Sequence, residues 1–212
     1  MAAQPKQMYD DEAKMADLGV GTRLISLSVK DDRTMNKPIV TPIYQASIYH
    51  AASCETFEGQ IEDGYVYNRI RNPNTEEVEM ILAQIEHGKG SLIFPSGMAA
   101  IFTTLLAFLR PGDHVVLQAP LYSCTSYVLE NIFSKFQVEW TYIDGVKDVD
   151  EYKKAARKNT TMFFGETMCN PIMHFLDVKK LAEIGKELNI LTVVDGTFTP
   201  PINHVSNIFL AT

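Results

Sequence analysis

The stretch TMFFGETMCNPIMHFLDVKKLAEIGKELNILTVVD, residues 161–195, decides the fold that this sequence predicts. It begins with the apolar run 161–164 and ends with a second run, 191–194, and both have the length of a buried strand. Between them, residues 177–188 carry apolar side chains at helical spacing, and Asp177 is placed to cap that helix. A strand, a helix and a second strand in this order indicate two parallel strands joined by a crossover helix.

The same alternation extends toward the N-terminus. Further strands are predicted at 91–94, 114–117 and 138–143, and further helices start near residues 98, 124 and 149. An earlier helix is predicted to begin at a cap formed by Asn74 or Thr75 and to end at Gly88. We therefore predict an α/β domain with a mostly parallel sheet and helices on both faces. Residues 1–66 are predicted to form an N-terminal arm with short helices, and residues 67–212 the sheet domain.

Composition and charge exclude several classes of protein. The 212 residues include 19 basic and 26 acidic side chains, so the net charge is −7, which argues against nucleic acid as a partner. The most apolar stretch, 98–109, is too short to span a bilayer, and residues 1–14 lack the apolar core of a secretory signal. The three cysteines are far apart and form no CxxC pair, which predicts reduced thiols in a cytoplasmic protein without a zinc site.

Candidate ligand-binding residues follow the predicted strands, because ligands of parallel sheets bind at the carboxyl ends of the strands. The helix that starts at residues 96–100 offers free N–H groups for a phosphate, and Gly97 permits close approach. Tyr122 offers a ring for stacking, Asn170 a neutral amide, and Asp195 a carboxylate that requires a partner if it is buried. Each of these features also has an ordinary structural explanation, namely helix packing, a core aromatic, an Asn-Pro turn and a local cap.

Taken together and in order, these segments resemble the cysteine/methionine-metabolism family of pyridoxal-phosphate enzymes. That family includes cystathionine γ-lyase, cystathionine β-lyase, cystathionine γ-synthase and methionine γ-lyase. The resemblance implies the large domain of an aminotransferase type I-like fold and pyridoxal 5'-phosphate as cofactor. The segments that carry it are Tyr67-x-Arg69 with Asn72-Pro73, Ser96-Gly97-Met98-Ala99-Ala100, Tyr122 with Thr125, Glu166-Thr167 with Asn170-Pro171, and Val193-Val194-Asp195-x-Thr197-Phe198.

The resemblance also implies a role for each matching residue. Tyr67 and Arg69 are expected to reach the cofactor phosphate of a neighbouring subunit, and Gly97 and Met98 to donate N–H groups to the phosphate of their own subunit. Tyr122 is expected to stack on the pyridine ring and to assist proton transfer as a catalytic residue. The remaining expected cofactor contacts are Asn170 at the ring hydroxyl, Asp195 at the ring nitrogen, and Thr197.

The sequence also departs from the family pattern. Ser123-Cys124 stands where two glycines are usual, and Gly196 replaces a usual asparagine. The Schiff-base lysine expected after the Asp195 strand is absent, since the last lysine is Lys186. The resemblance therefore implies a truncated form without its C-terminal domain, an incomplete sheet, and strand 91–94 left without its usual neighbours.

Two hypotheses about function follow, with a third that has less support. The first is a carbon–sulfur lyase that acts on cystathionine or a related sulfur amino acid by β- or γ-elimination. The second is a non-catalytic protein that pairs with longer homologous subunits. The third is an α/β domain for another phosphate ligand, although no nucleotide-binding glycine motif is present. The expected assembly is a homo-oligomer, a homotetramer by resemblance, or a complex with longer chains.

Overall fold

The computed structural model describes residues 19, 21–22, 40–145, 147–201 and 209–211, with the backbone alone at 62, 63 and 209–211. The chain divides into two compact units, Met1–Ile93 and Phe94–Thr212. These units are defined by contacts between residues, whereas the predicted boundary between residues 66 and 67 separates an arm from a cofactor-binding domain. That boundary therefore stays a prediction. Within the described residues, no helix combines the length and apolar character that a membrane span requires.

Two helices form the regular part of the N-terminal unit. Helix α1 spans Cys54–Asp63, and Ser53 caps it by accepting the N–H of Thr56 at 3.1 Å. Helix α2 spans Pro73–Ile85. Its predicted limits were wrong at both ends. Proline suits the first helical position because it lacks the N–H that would be left unpaired there, so the helix starts at Pro73 and Asn72 is the cap. The helix ends before Gly88, since His87 takes a left-handed conformation with φ of 51°.

A parallel sheet of five strands forms the centre of the C-terminal unit, and its order is β2-β1-β3-β4-β5. Every neighbouring pair runs parallel, as the apolar runs predicted. The strands are β1 His114–Gln118, β2 Glu139–Ile143, β3 Thr160–Glu166, β4 Leu191–Asp195 and β5 Phe209–Ala211. The short strand β5, which sequence analysis did not predict, pairs with β4.

Helices cover both faces of this sheet, which confirms the predicted α/β class. One apolar cluster lies between the sheet and helices α3 and α4, and the other lies between the sheet and helices α5 and α6. A 3-10 helix, Phe133–Phe136, follows α4. The four helices are α3 Gly97–Phe108, α4 Ser123–Asn131, α5 Asp150–Ala155 and α6 Val178–Leu188.

Alternate residues of the central strands belong to opposite clusters. In β1, Val115 and Leu117 pack with α3 and α4, whereas Val116 packs with α5 and α6. In β3, Met162 packs with α3 and α4, whereas Phe163 packs with α5 and α6. Successive strand residues point to opposite faces, and here both faces are buried, so these strands are apolar throughout.

The predicted strand at 91–94 was wrong, because these residues pair with no strand among the described residues. The Ser91 hydroxyl donates to the main-chain carbonyl of Glu79, and the Ile93 N–H donates to the side chain of Glu79. Leu92 is exposed. An apolar run alone does not make a strand, since each strand needs a neighbour to receive its main-chain hydrogen bonds.

Candidate active site at the carboxyl ends of the strands

A cavity of about 540 Å³ opens at the carboxyl ends of β1, β3 and β4, beside the start of α3. This volume lies within the usual range of small-molecule sites, about 300–1,000 Å³. Apolar side chains line part of the cavity, among them Met98, Met168 and Phe198. Its polar groups come from four separate segments of the C-terminal unit, so the parallel topology brings Ser96 and Thr197, about one hundred positions apart, into one cavity.

The first segment is the start of α3. Ser96 caps the helix, and its hydroxyl accepts the N–H of Ala99 at 3.2 Å. Gly97 and Met98 occupy the first two helical positions, where the helix itself provides no acceptor for their N–H groups. A Cβ added at Gly97 would meet no atom within 4 Å, so there is open space above this backbone. Free N–H groups and the positive end of the helix dipole suit an anion such as phosphate.

The second segment is the loop between β1 and α4. Tyr122 immediately precedes α4, and its partly exposed ring lines the cavity. The neighbouring Cys124 thiol raises the pKa of Tyr122 through a side-chain hydrogen bond. The ordinary pKa of tyrosine, about 10, already keeps the proton on the phenol at neutral pH, and this shift acts in the same direction. The ring provides a flat surface for stacking, and its hydroxyl provides a proton donor.

The third segment is the end of β3. Glu166 is the last residue of that strand, and its side chain is buried. One carboxylate oxygen accepts the N–H of Tyr122 at 2.7 Å, and the other accepts the N–H of Asn170 at 3.0 Å. Burial raises the pKa of Glu166 and the nearby Asp195 carboxylate adds to the rise, whereas the two N–H donors oppose it.

The fourth segment is the end of β4. Asp195 is buried, with 7% of its surface exposed, and one carboxylate oxygen accepts both the N–H and the hydroxyl of Thr197. The main-chain carbonyl of Asp195 accepts the N–H of Thr167 at 2.9 Å. No ion pair within the described part of the chain involves Asp195. The orientation of this carboxylate is thus fixed, while its charge has no cationic neighbour there.

The structure brings six of the eight predicted site residues into one cavity. They are Gly97, Met98, Tyr122, Asn170, Asp195 and Thr197. The other two belong to the N-terminal unit, where the Arg69 guanidinium lies 5.0 Å from the centre of the Tyr67 ring. Their expected contact with a phosphate of a neighbouring subunit stays a prediction.

Glu166 is the main residue to which sequence reasoning assigned no role. A signal was present, since Glu166 ends an apolar run in the same way as Asp195 does. Its partners are main-chain N–H groups, which leave no mark in a sequence. Met168 and Phe198 were also not predicted as lining residues. Among the described residues there is no group of three or more acidic, histidine or cysteine side chains that could hold a metal ion.

Comparison with known protein families gives one match over most of the chain. The model of the family described as "Cys/Met metabolism PLP-dependent enzyme" matches residues 21–207. The L-methionine gamma-lyase of Fusobacterium nucleatum subsp. nucleatum is 34% identical over 192 residues, which are 89% of this chain and 48% of the relative. The cystathionine beta-lyase of Coxiella burnetii is 35% identical over 184 residues, 86% of this chain and 46% of the relative.

Solved structures agree with this match. The crystal structure of metY from Campylobacter jejuni, which contains N'-pyridoxyl-lysine-5'-monophosphate, superposes with a TM-score of 0.78 at 26% identity. The superposition covers 88% of this chain and 46% of that one. This chain therefore spans about half the length of the relatives and solved structures that it matches.

Proposed function

Because the chain belongs to the Cys/Met metabolism family of PLP-dependent enzymes, we propose that its cavity holds pyridoxal 5'-phosphate in a carbon–sulfur lyase. The proposed substrate is cystathionine or a related sulfur amino acid, which is cleaved by β- or γ-elimination. The observation that carries the proposal is the single cavity lined by Gly97, Tyr122, Asn170 and Asp195. The relatives named methionine gamma-lyase and cystathionine beta-lyase support the choice of substrate class.

The residues of the cavity fit this cofactor. Asp195 presents a buried carboxylate whose one oxygen is occupied by Thr197, and a protonated pyridine nitrogen would supply the missing cationic partner. The open space above Gly97 leaves room for a phosphate at the start of α3. A site with an anion-binding end and a carboxylate end matches a ligand with a phosphate and a basic ring nitrogen.

The chain's residues would then hold and orient the ring. The N–H groups of Gly97 and Met98 bind the phosphate, the Tyr122 ring stacks on the pyridine ring, and Asn170 approaches the ring hydroxyl. Asp195 keeps the ring nitrogen protonated. When bound, pyridoxal phosphate would supply an electron sink for the negative charge that develops at the amino acid's α-carbon.

Tyr122 is also proposed to move a proton. Its hydroxyl is protonated at neutral pH, because the ordinary pKa of tyrosine is about 10 and the Cys124 thiol raises the pKa of Tyr122 further. A protonated phenol at the cavity wall can donate its proton to a departing thiolate, which general acid catalysis requires. Met168 and Phe198 add apolar surface to the wall of the same cavity.

Cofactor binding and sulfur chemistry are tested in two steps. The purified chain is titrated with pyridoxal phosphate, and the affinity is compared with that of Tyr122→Ala and of Glu187→Gln, a control on the exposed face of α6. We expect saturable binding that Tyr122→Ala weakens and Glu187→Gln does not. Thiol release from cystathionine and methionine is then measured with a thiol reagent. Equal binding by all three proteins would refute the cofactor assignment.

We also propose that the chain associates with a second subunit of this family in the cytoplasm. The loop after β3 exposes three large apolar side chains, Ile172, Met173 and Phe175, and exposed apolar patches of this kind commonly mark subunit contacts. The free thiols of all three cysteines agree with a reducing compartment. Light scattering of the wild type and of Phe175→Asp tests the association, and a monomer in both cases would contradict it.

A further inference from the structure

Glu166 is the buried acidic group of the site that the proposed chemistry does not use. Its two carboxylate oxygens bind the main-chain N–H groups of Tyr122 and Asn170, at 2.7 and 3.0 Å. These residues lie on separate loops, one after β1 and one after β3. A single side chain therefore fixes the main chain of two loops whose side chains line the cavity.

The position of Glu166 is itself fixed from the sheet. Its own N–H donates to the side-chain oxygen of Gln118, the last residue of β1, at 3.3 Å. Glu166 also stands directly opposite Asp195 in the β3–β4 ladder. Opposed residues of neighbouring strands share a face, so two carboxylates lie side by side at the edge of the cavity.

Such an arrangement is unfavourable unless hydrogen bonds compensate for it, because both burial and a like charge disfavour an ionised carboxylate. If position 166 required only a polar side chain, a neutral one would avoid this cost. A neutral amide cannot replace the carboxylate, since it offers one acceptor oxygen and presents N–H donors on its other arm. The carboxyl group of Glu166 accepts both N–H groups, one with each oxygen.

We infer that Glu166 is a positioning residue that holds Tyr122 and Asn170 against the pyridine ring. We call the two hydrogen bonds from the N–H groups of Tyr122 and Asn170 to Glu166 the clamp. The inference rests on the proposed function for the identity of the ring, whereas the clamp is a property of the chain alone. We therefore expect loss of Glu166 to affect contacts with the ring and not those with the phosphate. Loss of the clamp disturbs the side chains that contact the ring and leaves unchanged the N–H groups of Gly97 and Met98, which would bind the phosphate.

The first experiment examines the chain without ligand. Amide hydrogen exchange, measured residue by residue by NMR, is compared between the wild type, Glu166→Gln and the surface control Glu187→Gln. In Glu166→Gln we expect the amide of Tyr122 or of Asn170 to exchange at least about tenfold faster, while core amides of β1 keep their rates. Unchanged exchange at both amides would overturn the clamp.

The second experiment separates the ring from the phosphate. Affinities for 4'-deoxypyridoxine 5'-phosphate, which has no aldehyde to react with lysines, and for inorganic phosphate are measured from amide shifts of Gly97 and Met98. Glu166→Gln is expected to weaken the ring ligand about tenfold and to leave phosphate affinity unchanged. An equal loss for both ligands would show general structural damage and would overturn the inference.

The two experiments also distinguish this inference from the proposed function. If the wild type fails to bind the ring ligand while Glu166→Gln still frees the two amides, the cofactor proposal is wrong and the clamp stands. If the ring ligand binds equally to both proteins, the cofactor proposal stands and the positioning role is wrong. Should Glu166→Gln fail to fold, Glu166→Asp keeps the charge on a shorter side chain and serves in the same comparisons.

Discussion

Replacing Asp195 with asparagine isolates the contribution of one charge. The oxygen that accepts the N–H and hydroxyl of Thr197 is retained in the amide, so the local geometry is preserved. The other oxygen becomes an NH₂ group that faces the cavity as a donor. The fold should therefore be unaffected, while a protonated ring nitrogen loses its charged acceptor.

The magnitude follows from the kind of hydrogen bond that is lost. A bond to a charged group contributes about 1.5–3 kcal/mol and a neutral one about 0.5–1.5 kcal/mol, so the expected loss is about 1.5 kcal/mol, a factor of roughly ten in affinity. The assay is a titration with 4'-deoxypyridoxine 5'-phosphate, with Asp144→Asn at an exposed position as the matched control. Equal affinities of the wild type and Asp195→Asn would refute the assignment of Asp195 to the ring nitrogen.

Three other perturbations test the packing and titration of the C-terminal unit. In Gly165→Ala the new Cβ would lie 2.8 Å from the Tyr152 hydroxyl, so we expect a loss of about 1–3 kcal/mol in the free energy of unfolding, measured by urea denaturation; an unchanged midpoint would contradict this. Burial lowers the pKa of His114, so its contribution to stability is complete above the ordinary histidine pKa of about 6.5 and declines as the pH falls below it. Between pH 7.5 and pH 5, the free energy of unfolding should fall further in the wild type than in His114→Gln. Equal falls in the two proteins would exclude His114 as a source of this pH dependence. In Cys124→Gly, ultraviolet titration should show a lower pKa for Tyr122, because the thiol that raises it is gone; the same pKa in both proteins would be evidence against that contact.

Sequence patterns predicted the fully buried strands β1 and β3, and also the partly buried strand β2. The apolar runs that became β1, β3 and β4 were recognised because burial on both faces removes polar residues from a strand. The same signal failed at 91–94, since an apolar run does not reveal whether a neighbouring strand exists. Strand β5 has three residues, which are too few to produce a pattern.

The site was predictable where a residue ends a predicted strand or starts a predicted helix, as Asp195 and Gly97 do. A carboxylate that ends a buried strand requires a partner, and the family resemblance implied the ring nitrogen as the partner of Asp195. Glu166 has the same position in its strand, yet its partners are the N–H groups of Tyr122 and Asn170. Every residue except proline carries a main-chain N–H group, so no sequence pattern identifies which two N–H groups will donate to the carboxylate of Glu166.

The alternation of β3 residues between the two apolar clusters limits which insertions and deletions this site can tolerate. Met162 and Phe164 belong to one cluster and Phe163 to the other, and the same alternation directs Glu166 at the end of the strand. Inserting or deleting one residue within β3 would exchange the two faces and turn Glu166 away from its loops at the same step. We therefore expect insertions and deletions to be tolerated in the connections and not within β3, because only changes in the connections leave the acidic pair in place.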